Sequence, residues 1–187
     1  MQVFLRMEKT ASASFIWVNG QEAGYNEGGQ EPAEYNITPL LKPGQNTIAV
    51  KVTKYSDGYY LEDQDYWRLA GIFDDVWLIA VPEVHLSDWH AVTDLDADYR
   101  DAMLSLAVDI RNLGAASRPF RVRTSLFDGS GKVAATWVSP EQKPEPGSTQ
   151  TVRFSGKIEN PAKWSAEYPN LYSLVFELLD GAGKVTE

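Results

Sequence analysis

The 187-residue sequence contains no cysteine, which excludes disulfides, thiolate nucleophiles and cysteine-based zinc sites. Histidine is almost as scarce. His85 and His90 are the only two, and simple alternation along a strand-like stretch sends residues five apart to opposite faces, so they do not suit a zinc pair. No apolar stretch approaches the roughly 20 residues that span a bilayer, and Met1-Gln2-Val3-Phe4 lacks the charged-then-apolar layout of a secretory signal. Positive charge is also short: 17 Lys and Arg face 26 Asp and Glu, a formal net charge of −9. That balance repels phosphate backbones and anionic lipid head groups, so neither nucleic acid nor a membrane surface is an expected partner. Gly24, Gly28 and Gly29 form no phosphate loop, because no Gly-Lys-Ser/Thr follows them and no helix opens there.

What is present points to β structure. Six Trp, nine Tyr and seven Phe supply large apolar surfaces that suit sheets packed face to face. With 43% hydrophobic and 23% charged residues the chain reads as globular, and its length suits one large or two small domains.

Apolar and polar residues alternate at Val3 to Met7 and at Ser14 to Val18, and a short run follows at Glu22 to Tyr25. Asn19-Gly20 stands between the last two, a hairpin signal because both residues tolerate the positive φ of a type I′ turn. Tyr25 to Gln30 reads as an exposed loop. Thr38 is placed to cap a single helical turn with Pro39 at its first position. The triplet Asn36-Ile37-Thr38 also fits a glycan acceptor, a reading that Pro39 and the missing secretion signal disfavour. Pro43-Gly44 has the order of a type II turn and launches a strand over Asn46 to Thr53 with Ile48, Val50 and Val52 on its buried face. Val76 to Val81 is a further strand ending at Pro82, which cannot donate to a ladder and marks the expected domain boundary.

Beyond Pro82 the strand-like runs are Val84 to Thr93, Met103 to Asn112, Phe120 to Phe127, Val133 to Val138, Thr149 to Ile158 and Leu171 to Leu179. With Asp128-Gly129-Ser130-Gly131 and Pro144-Glu145-Pro146-Gly147 as turns, the spacing predicts a seven-stranded sandwich. The seventh strand would begin at Lys184-Val185-Thr186, so the second domain is expected to lack its last strand, and the first to lack strands upstream of Val3.

Three segments carry a family resemblance. Trp17-Val18-Asn19-Gly20 through Gly24 to the run Leu41 to Val50 resembles the jelly-roll sugar-binding domain of glycoside hydrolase family 2. Ser56 to Val76, with Tyr59-Tyr60-Leu61-Glu62-Asp63-Gln64-Asp65-Tyr66-Trp67-Arg68 at its centre, is similar to the β-galactosidase branch of that family. Asn160-Pro161 and Trp164 to Tyr172 resemble the end of the family's immunoglobulin-like domain. Glucuronidases and mannosidases share both sandwiches, so the galactosidase assignment rests mainly on Leu61 to Val76.

The resemblance implies an all-β chain: the C-terminal part of a galactose-binding-like jelly roll over residues 1–82, then an immunoglobulin-like sandwich over 83–187. It implies a non-catalytic portion of a retaining enzyme that hydrolyses terminal β-D-galactosides. The family's two catalytic glutamates lie on a (β/α)8 barrel, the partner domain of the same parent chain, and nothing here resembles that barrel. No catalytic residue is therefore expected in this chain, which should hydrolyse nothing by itself. The alternative from the residues alone is an autonomous carbohydrate-binding module.

Glu62, Asp63 and Asp65 lie beside Tyr59, Tyr60, Tyr66 and Trp67, which combines hydroxyl-accepting oxygens with stacking faces. The same acids could instead cap turns or pair with Arg68 and Lys54. By resemblance Asp65 matches the aspartate that reaches into the barrel's pocket, binds galactose hydroxyls and helps to hold sodium in the intact enzyme. Trp67 and Arg68 are expected to support the loop. Sodium and magnesium are implied for the intact enzyme and neither for this chain alone. The resemblance further implies a bacterial protein, often a homo-oligomer, and leaves the compartment open between cytoplasm and periplasm.

Overall fold

Alternating sequence becomes strand almost throughout the computed structural model, which describes residues 1–61 and 69–187. The chain divides into two units, Met1–Val81 and Pro82–Glu187.

The first unit contains β1 (Gln2–Met7), β2 (Thr10–Ala11), β3 (Ala13–Val18), β4 (Gln21–Asn26), β5 (Ala33–Asn36), β6 (Ile48–Thr53), the short helix α1 (Asp57–Leu61), β7 (Gly71–Ile72) and β8 (Val76–Val81). Two antiparallel sheets, ordered β5-β1-β8 and β4-β3-β6, face each other, and β2 pairs with β7. Leu5 and Met7 of β1 meet Ile16 and Val18 of β3, with Tyr35 and Ile37 closing the core. Each such side chain contributes about 1.5–3 kcal/mol by leaving water.

Local chemistry explains the connections. Asn19 and Gly20 take φ of 53° and 82°, the positive pair that a type I′ turn demands, and Gly44 takes 85° after Pro43. The Asn19 amide also donates to Leu40 O at 2.9 Å and accepts the Thr47 N–H at 3.1 Å, tying the turn to the loop before β6. Gly24 is required by a neighbour, since a Cβ there would lie 2.4 Å from the buried ring of Tyr35.

Three expectations shift here. Thr38 does not cap its 3-10 turn. Its hydroxyl accepts the Val3 N–H of β1 at 2.7 Å, and Asn36 Oδ1 instead accepts the Thr38 N–H at 3.0 Å. β4 runs on to Asn26, and Gly29 in the following loop is buried rather than exposed, with Ala11 Cβ 3.1 Å from where its own Cβ would be. Ile48, opposite the fully buried Val18, is exposed because β6 is the edge of its sheet.

The second unit contains β9 (Val84–Leu95), β10 (Ala102–Asn112), β11 (Phe120–Phe127), β12 (Val133–Val138), β13 (Thr149–Ile158) and β14 (Ser173–Asp180). These form the sheets β13-β10-β9 and β12-β11-β14, all antiparallel. β10 buries Leu104, Leu106, Val108 and Ile110 at every second position, and they meet Phe120, Val122 and Leu126 of β11, Val152 and Leu178. Gly156 repeats the Gly24 device, because a Cβ there would lie 2.6 Å from the Trp137 ring. Lys184 to Glu187 run beside β14, with Thr186 N–H donating to Leu178 O at 2.8 Å and Leu178 N–H to Glu187 O at 3.0 Å.

One end of this sandwich is fastened by Asp101. Its carboxylate takes Arg100 Nη2 at 3.0 Å, Lys157 Nζ at 2.8 Å and the Asn160 N–H at 3.0 Å, which hold it far below the ordinary aspartate range. The following loop is bonded to itself and its surroundings: Ala162 N–H to Tyr172 Oη at 3.0 Å, Asn170 Nδ2 to Lys163 O at 2.9 Å and Lys163 Nζ to Arg100 O at 2.7 Å.

The histidines require a correction. β9 pairs with β10 as Leu86↔Ile110 and then Asp88↔Asp109, so Ser87 is an extra residue and the alternation reverses across it. His85 opposite Arg111 and His90 opposite Ala107 therefore share the face turned away from the core. His85 is buried there, which pushes its imidazole below the ordinary value, whereas His90 is exposed.

Candidate functional site

The candidate residues fall on the segment between β6 and β7. Glu62, Asp63, Asp65, Tyr66, Trp67 and Arg68 lie outside the described residues. Both ends of the segment are described, and both are held by residues 8–12, which connect β1 to β3.

On the entry side the node is Ser12, 8% exposed. Its hydroxyl reaches Thr53 O at 2.9 Å and Lys54 O at 3.0 Å, lies 2.9 Å from the Ser56 hydroxyl and accepts the Ser56 N–H at 3.3 Å. The Ser56 hydroxyl in turn accepts the Tyr59 N–H at 3.3 Å, which starts α1. On the exit side Ala11 and Thr10 pair with Gly71 and Ile72. Phe73 N–H donates to Lys9 O at 3.1 Å, and Glu8 N–H donates to Asp75 O at 3.1 Å. Gly71, at φ 139°, occupies a backbone region that a β-carbon would strain.

Glu27, from the loop after β4, supplies a second clamp. Its Oε1 accepts the Gly58 N–H at 3.3 Å, and its Cγ stands 3.0 Å from where a Gly58 Cβ would be, so glycine permits the approach. Side-chain hydrogen bonding with Asp57 and with the Tyr25 hydroxyl, together with that N–H, holds the Glu27 carboxyl below its ordinary value, and Glu27 raises the Tyr25 hydroxyl. With its oxygens so engaged, Glu27 is suited to fastening the stem rather than to attacking a bond. Tyr59 packs edge-on against Tyr55 and Tyr60 at 5.1 and 5.2 Å, and Lys54 places its ammonium 5.2 Å from the Tyr55 ring centre. That cation–π contact is a use of Lys54 that charge pairing did not anticipate.

Neither Ser12 nor Glu27 was legible as a site residue. Ser12 is 44 positions from Ser56, and Glu27 sat in a stretch read only as loop. Among the described residues no three His, Asp or Glu side chains converge to hold a metal ion.

Residues 1–82 match the family model described as "Glycosyl hydrolases family 2, sugar binding domain", and residues 84–187 match the one described as "Glycosyl hydrolases family 2". The β-galactosidase of Priestia megaterium is 41% identical over 187 residues, covering 99% of this chain and 18% of that protein. The β-galactosidase of Vibrio vulnificus is 42% identical over 176 residues, covering 92% of this chain and 17% of its own length. The chain thus spans 17–18% of the length of these curated relatives. Among solved structures, Bacteroides uniformis β-glucuronidase superposes with a TM-score of 0.91 at 24% identity, over 98% of this chain and 23% of that one. Parabacteroides merdae β-glucuronidase gives 0.82 at 16% identity, over 98% and 24%. At these identities the likeness shows the fold: paired β-sandwich domains of the kind the resemblance implied.

Proposed function

The chain belongs to glycosyl hydrolase family 2, and from that membership we propose that it is a non-catalytic portion of a retaining β-galactosidase acting on terminal β-D-galactosides. The supporting observation is the 41% identity across 99% of the chain to a β-galactosidase. The β-glucuronidase neighbours are 24% identical or less, and their likeness is one of fold. Retaining hydrolysis needs two carboxyl groups about 5–5.5 Å apart flanking the glycosidic bond. We assign both to the barrel of the parent chain.

In this reading the first unit contributes position. Ser12 and Glu27 set the stem of the β6 to β7 segment on one side, and residues 8–11 set it on the other, so that Asp65 reaches galactose hydroxyls in the intact enzyme. Asp65 would also donate one oxygen to sodium, whose remaining ligands must come from other domains because the cation takes several oxygens. The second unit buttresses the barrel.

Asp65→Asn in the intact enzyme tests the assignment. Loss of at least about tenfold in kcat/KM on a nitrophenyl β-D-galactoside is expected, or about 1.4 kcal/mol; unchanged turnover removes Asp65 from the pocket. Faster turnover of the matching β-D-glucuronide by the wild-type enzyme would transfer the reading to the glucuronidases. The 187-residue chain alone should release no nitrophenol.

A further inference from the structure

The first unit has four edge strands, β4, β5, β6 and β8, and they are guarded unequally. A charged side chain on an edge discourages a foreign strand from pairing with it. β4 carries Glu22, β5 carries Glu34 and β6 carries Lys51. β8 carries no charge at all: its six residues are Val76, Trp77, Leu78, Ile79, Ala80 and Val81. It pairs with β1 on one side, and among the described residues no strand pairs with the other.

Register shows which way these side chains point. Leu78 stands opposite Leu5, Val76 opposite Met7 and Ala80 opposite Val3, so all three face the core side of the sheet. Leu5 and Met7 are 1% exposed, yet Leu78 is 63% exposed and Val76 48%. On the other face of β8, Trp77 is half-exposed. β4 and β5 close the far side of the sandwich, where Gly24 admits the Tyr35 ring. β6 and β8 therefore border an open flank, and Ile48 of β6 is exposed along it. An edge strand also leaves alternate backbone N–H and C=O groups without ladder partners. A strand laid along β8 would cover the apolar side chains and complete the ladder together.

We propose that β8 of the 187-residue chain pairs with β8 of a second copy, joining two three-stranded sheets into one of six. β8 complements itself: it is apolar on both faces, brings no charge to the junction and meets its copy antiparallel across a two-fold axis. An axis normal to the sheet keeps the two core sides together, so like faces must meet across it. The register centred on Leu78 satisfies this, with Leu78 against Leu78 of the copy, Trp77 against Ile79 and Val76 against Ala80. It also sets the most exposed large side chain of β8 against its equivalent. The net charge of −9 on each chain opposes any self-association, so a pairing made of apolar burial and backbone hydrogen bonds tightens as salt screens that repulsion. The pairing does not depend on the galactosidase reading.

Sedimentation velocity of the 187-residue chain across about 1–100 µM is the test. A monomer–dimer equilibrium with a Kd of about 10 µM, weakened at least about tenfold by Leu78→Lys, is the expected result. Leu78→Cys gives a second readout that stays decisive where Leu78→Lys fails to fold by circular dichroism, because the chain has no other cysteine. Residues opposed across an antiparallel pair have Cα atoms about 4.5–5.5 Å apart, within disulfide reach, so mild oxidation should give a covalent dimer. Ile48→Cys, on the guarded edge β6, should stay monomeric under the same oxidation. Equal cross-linking at both positions, or none at residue 78, overturns the pairing. A chain that stays monomeric throughout the concentration series overturns it as well. Fast amide exchange along β8 in that monomer would then leave the edge to a strand from outside residues 1–187, and slow exchange would show that the chain covers the edge itself. Association that weakens as salt rises would be ionic and would also overturn it.

Discussion

Each of the two units is internally a pair of packed sheets, and their strands differ in length. In the second, β10 runs for 11 residues and buries every second side chain from Ala102 to Asn112, so one strand organises the whole core. In the first, the longest strands have six residues, and much of the chain is connection: the loop after β4, the turn around Thr38 and the segment between β6 and β7. Long ladders commit backbone polar groups to one another. Short ones leave connections that side chains must fasten, as Ser12, Glu27 and Asn19 do. The unit with the shorter strands is also the one that carries the candidate site, consistent with functional loops being positioned by a scaffold rather than belonging to it.

The comparison is tested most severely at the centre of each core. Phe120→Ala in the second unit should cost about 3–5 kcal/mol, and Ile16→Ala in the first about 2–5 kcal/mol, both read from urea unfolding. Equal tolerance of the two substitutions would mean that strand length does not set how well each core resists a cavity.

A smaller effect is expected where backbone meets ring. Gly156→Ala drives a methyl into Trp137 and Gly24→Ala drives one into Tyr35, each costing about 1–3 kcal/mol, visible as a lower Tm. A neutral outcome at Gly24 alone would show that the first unit yields where the second does not.

Ser12→Ala should cost about 1 kcal/mol, because it removes the part-buried hydroxyl that joins Thr53 O, Lys54 O and the Ser56 hydroxyl. The distinguishing readout is faster amide exchange at Ser56 and Tyr59, with exchange at Val108 in the second unit unchanged.

The smallest effect is one of pH. Asp101 is depressed in the folded state, so its contribution is present above the ordinary aspartate value and lost as pH falls below it. Asp101→Asn should therefore lower Tm near pH 7, with the gap to wild type narrowing toward about pH 2. A constant gap would show that Asp101 acts through shape rather than charge.

Much of the architecture was legible in advance. Val76 to Val81, Phe120 to Phe127, Val133 to Val138 and Thr149 to Ile158 are strands over those residues, and Asn19-Gly20 turns as its φ tolerance requires. The candidate site was legible only as a motif. Asp65, its central residue, was reached through resemblance, and no periodicity could announce that Ser12 and Glu27 would hold the stem leading to it, since their partners lie 44 and 31 positions away.

The contrast between hairpin and histidines marks where local information ends. Composition, alternation and turn chemistry act within a few residues, and by themselves they determined that this chain is all-β, where most strands lie and which family it resembles. Tertiary structure decided what depends on partners across the fold. Ser87 bulges because β10 cannot match it, and that single residue moves His85 and His90 to one face. Val76 and Leu78 lie beside the buried Met7 and Leu5 yet stay exposed, because β8 is the edge of its sheet.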